Sequence, residues 1–143
     1  MWGTAVVSNP EVLIRLKTPT GEVYDVPALV ARTDGDYRLE MTIPRLGFRR
    51  AVGPDQFECL LRLRAELEPL GYRTLVNGAR RNAWPSGMGR DMGGGRLAYL
   101  LVLGQHDQKP ALVDIFEAAD EADLSVVEDQ RAFFDSWIAE VES

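Results

Sequence analysis

The chain has 143 residues, 45% hydrophobic and 27% charged, which is the size and composition of one globular domain and lies far from the low-apolar, high-charge regime of disorder. The single cysteine, Cys59, excludes an intrachain disulfide, and with one histidine it excludes the usual zinc ligand sets, so no metal or cofactor is expected. A formal net charge of −6 argues against nucleic acid as the main partner, because binding a polyanion draws on lysine and arginine.

The opening residues have no basic segment followed by a long apolar stretch, and the longest apolar run, Leu97 to Leu103, is too short to span a bilayer. The expectation is a cytoplasmic protein with no membrane association. Residues 11 to 17 alternate, with Val12, Ile14 and Leu16 on one side, as in a half-buried strand. Thr18-Pro19-Thr20-Gly21 reads as a turn into a short strand, Glu22 to Val26. Ala28 to Thr33 and Asp36 to Ile43 flank Asp34-Gly35, a strong hairpin signal, and Pro27 and Pro44 bracket that hairpin.

After a short strand at Phe48 to Val52, Gly53-Pro54-Asp55 opens a helix whose apolar stripe runs through Phe57, Leu60, Leu61, Leu63, Leu67 and Leu70 and stops at Gly71. Tyr72 to Val76, Leu97 to Leu103 and Ala111 to Phe116 read as strands, the middle one apolar enough to be buried on both faces. Ser125-Val126-Val127-Glu128 matches a capping box for a final helix carrying Phe134, Trp137, Ile138 and Val141 on one face. The fold class that follows is α+β: a single domain, residues 1–143, with a largely antiparallel sheet and two packed helices.

One connection stands apart. Residues 78–96 hold six of the thirteen glycines and four arginines, and so long a connection is uncommon in a compact domain. Glycines let backbone N–H groups converge, and arginine presents a planar fork to phosphate or carboxylate, so Arg80, Arg81, Trp84, Ser86, Arg90, Asp91 and Arg96, with Asp114 on a nearby strand, form a candidate anion- or partner-binding set. The plain structural reading folds Trp84 and the methionines onto the rim of the core and pairs the arginines with acids. Asp114, between Leu112 and Phe116 on one strand face, needs a partner, and Arg81, Arg90 or Arg96 would serve. Ser86, His106 and Asp114 are the residue types of a hydrolase triad, but Trp84-Pro85-Ser86-Gly87-Met88 is not a nucleophile elbow, and no catalytic residue is assigned.

Charge is unevenly distributed. From Asp114 onward there are ten acidic residues and one arginine, a net of −9, which leaves +3 for the preceding residues. Asp120, Glu121, Asp123, Asp129 and Asp135 form a candidate acidic face for a basic protein. The favoured functional reading is a non-catalytic protein-binding module, such as a bacterial immunity protein or antitoxin neutralising a basic toxin. The alternative is a small enzyme or ligand-binding protein that takes an anionic, phosphate- or carboxylate-bearing substrate in the loop 78–96.

Overall fold

The alternating patterns of the first fifty residues are realised as sequential antiparallel hairpins in the computed structural model, which describes residues 11–106 and 109–143. Residues 1–10, where no export signal is expected, lie outside the described residues. Strand β1 (Glu11–Lys17) pairs with β2 (Val23–Thr33), β2 with β3 (Asp36–Ile43), and β3 with β4 (Gly47–Gly53). The register places Ile14 opposite Val26, Val30 opposite Leu39 and Leu39 opposite Ala51, so one face of the sheet carries the core. Asp34 and Gly35 both have positive φ, 52° and 87°, as the tight β2–β3 turn requires.

Pro27 does not end a strand. It lies within the eleven residues of β2, where the sequence pattern predicts a break between two strands, but the β3 ladder ends at Ala28, so Pro27 has no β3 partner to lose. At the open edge of the sheet, Arg49 Nη1 donates to the carbonyl of Phe48 at 3.0 Å and Arg62 Nη1 to that of Val52 at 2.7 Å, covering backbone acceptors of β4.

Helix α1 (Gln56–Leu67) begins at Asp55, whose side chain accepts from the Glu58 N–H at 2.8 Å. Its Phe57, Leu60, Leu61, Leu63 and Leu67 are buried against the sheet. A 3-10 turn, Glu68–Leu70, follows, and Gly71 closes it in the left-handed conformation, φ 90°. Strand β5 (Arg73–Thr74) then adds to β1, completing a five-stranded sheet of order β4-β3-β2-β1-β5.

The remainder forms a smaller sheet of order β6-β7-β8, from β6 (Ala83–Trp84), β7 (Leu97–Leu100) and β8 (Leu112–Asp114). Between β6 and β7 lies a six-residue helix, α2 (Gly87–Met92), and the chain ends in α3 (Val127–Glu142). The architecture is α+β, with the two long helices foreseen and one short helix that was not. Strand β7 is central in its sheet but is not buried on both faces, since Ala98 is buried and Leu97 exposed, and it ends at Leu100, so Val102 and Leu103, expected within it, lie in an exposed turn beyond. No helix among the described residues is long and apolar enough to cross a membrane.

The capping box expected at Ser125 does not form. The Ser125 hydroxyl donates to the carbonyl of Val126, and the first N–H of α3, Val127, is instead accepted at 2.9 Å by Glu68 Oε1 from the end of α1. Helix α3 is therefore capped by a residue 59 positions earlier in the chain. On its inner side Phe134, Trp137 and Ile138 are half-buried as foreseen, whereas Val141 is exposed, beyond the point where the helix leaves the core.

Candidate functional site

The glycines of residues 78–96 bring this segment hard against α1. Gly94 and Gly95 have φ 67° and 71°, and a Cβ on them would fall 2.5 Å from Tyr37 Oη and 2.8 Å from Asp55 Oδ1. That approach lets the Gly94 carbonyl accept from the Gln56 N–H at 2.7 Å. The N-terminal donors of α1, which an anion would otherwise seek, are thus met by the chain's own Gly94 carbonyl and Asp55 carboxylate. Within the segment, Ser86 caps α2, its Oγ accepting from the Gly89 N–H at 2.9 Å.

All four arginines of the segment have partners. Arg90 Nε lies 2.7 Å from Asp55 Oδ2 and its Nη2 3.1 Å from Glu58 Oε1, with the guanidinium over the Phe57 ring. Burial lowers the Arg90 pKa, but the two carboxylates more than offset this and the net direction is upward. Arg96 Nε donates at 2.9 Å to both oxygens of Asp114, whose Oδ1 also accepts from the Phe116 N–H. Arg80 sits 3.7 Å from Asp123, and Arg81 lies over the Phe133 ring, 5.0 Å from its centroid. Arg96 is therefore the partner that Asp114 needs, while Arg81 and Arg90 are held elsewhere.

The remaining members of the set disperse. Trp84 is buried, stacked on Phe134 at 4.5 Å and edge-on to Phe57 at 5.0 Å. Asp91 is exposed and has no ion pair among the described residues. Met88 and Met92, expected to fold onto the core, are 72% and 82% exposed on the outer side of α2. Ser86 forms no hydrogen bond with Asp114 among the described residues and lines an apolar pocket that Asp114 does not.

That pocket, of about 370 Å³, lies between the 84–87 segment, the chain following β7 and helix α3. Trp84, Tyr99, Phe134 and Trp137 supply its aromatic walls, with Leu101, Val102 and Ile138 beside them. Ser86, Gln105 and His106 add polar groups. His106 Nε2 is 2.8 Å from Glu140 Oε1, its ring edge-on to Trp137 at 5.8 Å, and the same Glu140 oxygen accepts from the Gly104 N–H. The chain following β7 is thereby tied to α3.

The acidic residues occupy the outer side of the C-terminal region. Asp120, Glu121, Asp123, Asp129 and Asp135 are exposed, joined by Glu117, Glu128 and Glu142. Glu121 pairs with Lys17 at 3.0 Å and Asp123 with Arg80, while Asp120 accepts from the Ala122 N–H. Glu117, Glu128, Asp129, Asp135 and Glu142 have no ion pair among the described residues.

Two buried polar residues escaped the sequence reading. Arg64, fully buried, donates from Nε to Glu68 Oε2 at 2.9 Å, from Nη2 to the Ser125 carbonyl at 2.7 Å, and from Nη1 to Gln130 Oε1 at 2.5 Å and to the Gly78 carbonyl. Gln130 Nε2 in turn donates to the carbonyls of Gly78 and Ala83, both at 2.9 Å. Burial pulls the Arg64 pKa down, opposed by Glu68. The signal was available: Arg64 follows Phe57 by seven positions and Leu60 by four, squarely on the apolar stripe of α1. Among the described residues, no three of His, Cys, Asp and Glu converge to hold a metal ion.

No protein-family model matches this chain, and no curated protein matches it either.

Proposed function

We propose that this chain is a non-catalytic protein-binding domain that receives a basic partner on the outer side of α3 and the segment 117–123. The observation that carries this reading is the set of exposed carboxylates with no ion pair among the described residues, Glu117, Glu128, Asp129, Asp135 and Glu142, in a region of net charge −9. Exposed carboxylates that outnumber the one arginine beside them, Arg131, and form no ion pair raise the local concentration of a cationic partner and speed its encounter. The finer reading is an immunity protein or antitoxin that neutralises a basic toxin in a bacterial cytoplasm.

The alternative, an anionic substrate bound by the 78–96 segment, has less in its support. Arg90 and Arg96 already hold carboxylates, so a phosphate on either would have to displace Asp55, Glu58 or Asp114, while Arg80, 3.7 Å from Asp123, and Arg81, over a ring, are held more loosely. The test of the leading reading is co-purification with the protein encoded beside this one, followed by stopped-flow association at several ionic strengths. Association should slow steeply with salt, and Asp129→Lys with Asp135→Lys should reproduce the slowing in a folded protein. Salt-insensitive association, or wild-type rates in that variant, would return the acids to ordinary solvated surface. Calorimetric titration with phosphate and small carboxylates tests the alternative.

A further inference from the structure

The apolar pocket beside α3 takes Trp84 to Gly87 from the 78–96 segment but is lined by none of its arginines and by none of the acidic residues. Its walls come from three separate stretches of chain, and their rings are already fixed: Trp84 is held between Phe134 and Phe57, and Trp137 lies against His106. At about 370 Å³ it has the size and lining of a small-molecule site. Walls of fixed rings lose little freedom when a flat guest enters, so the guest's contact area converts more fully into affinity.

The polar groups define the guest further. His106 Nε2, 2.8 Å from a Glu140 carboxylate oxygen, must carry the proton there, since two lone pairs would otherwise face each other. Glu140 itself, in a region of net −9, repels a carboxylate guest. We propose that this pocket binds an uncharged aromatic small molecule of one or two rings, held between Trp84, Tyr99 and Trp137. This holds whether or not a basic protein docks on the acids.

Indole is the probe. Titrating the isotopically labelled full-length chain with indole should shift the backbone amides of Trp84, Ser86 and Gly87 and of residues 99–106 and 134–138, with a dissociation constant on the order of 1 mM or tighter, as nine heavy atoms in a fitted pocket allow. Indole-3-carboxylate should bind roughly tenfold more weakly. Val102→Trp, enlarging a 43% exposed wall residue, should weaken indole by at least about tenfold. If that variant loses its folded spectrum, Ile138→Phe takes its place. No amide shifts at saturating indole, equal binding of indole-3-carboxylate, or undiminished binding in the folded wall variant would overturn the assignment.

Discussion

Four strands of seven to eleven residues make up the chain between Glu11 and Gly53, whereas the four strands after Gly71 have only two to four residues each. In the first region the backbone ladder itself sets the geometry, and side chains need only alternate. In the second the ladders are too short to fix anything alone, and charged or amide side chains bond to backbone carbonyls in their place: Arg64 and Gln130 on Gly78 and Ala83, Asn77 on Asp114, Asn82 on Leu101. The difference teaches that a core can be specified by local periodicity or by a few long-range polar bonds, and that the second route concentrates consequence in few residues.

The sharpest way to break this comparison is Arg64→Met. It keeps much of the volume but leaves Glu68 and the Ser125 carbonyl without their partner, so urea unfolding should show a loss of about 3–5 kcal/mol, as large as a core truncation such as Leu39→Ala. A loss under about 1 kcal/mol would mean that packing rather than the polar bonds holds the second region. Next comes glycine. Gly21, in the first region, has φ 90°, and a Cβ added there would meet nothing within 4 Å, while Gly95, φ 71°, faces Asp55. Gly21→Ala should cost about 1–2 kcal/mol for backbone strain alone, and Gly95→Ala measurably more, through displacement of the Asp55 cap. Equal losses would show that Gly95 serves its own turn and not the approach to α1.

Cys59, on α1 and buried beneath β3, gives a smaller effect confined to high pH. Burial, with Asp55 adding to it, pushes its thiol up to about 11. An acid whose folded pKa lies above its unfolded value stabilises the fold fully below the unfolded pKa, near 9, and loses that contribution as pH rises toward 11. Melting temperature should therefore fall between pH 9 and 11 in the wild type and fall less in Cys59→Ala, and iodoacetamide at pH 8 should label the thiol only in the unfolded chain. Last is Ser125→Ala. Because Glu68 accepts the first N–H of α3, this change should stay within about 0.5 kcal/mol, against the roughly 1 kcal/mol that a true N-cap would lose.

What was legible in the sequence follows the same division. The hairpins, the Asp34-Gly35 turn, the apolar stripe of α1 as far as Leu67 and the Gly71 stop are local patterns, and each is present, whereas Leu70, expected in that stripe, lies past the helix end and is exposed. Ser125 misled because a capping box specifies residue types, not where Glu68 will be; the competing acceptor lies 59 residues away. Arg96 as the partner of Asp114 could be narrowed only to three arginines, since choosing among them requires knowing that α2 turns Arg90 toward Asp55. The aromatic pocket was invisible for a related reason. Its rings stand at positions 84, 99, 134 and 137, and only the last two share a local period.

The arginines on strand β4 carry a consequence for how this protein meets its neighbours. With the Phe48 carbonyl held by Arg49 and the Val52 carbonyl by Arg62, an extended chain arriving at that margin finds acceptors already occupied and two cations to dislodge. Growth of the sheet from copy to copy, the first step toward fibrils, is discouraged there by two side chains, with no covering strand or helix among the described residues. The exposed Phe48 and Val52 can then remain uncovered in a concentrated solution, available to contacts made through side chains while the backbone beneath them is closed to recruitment.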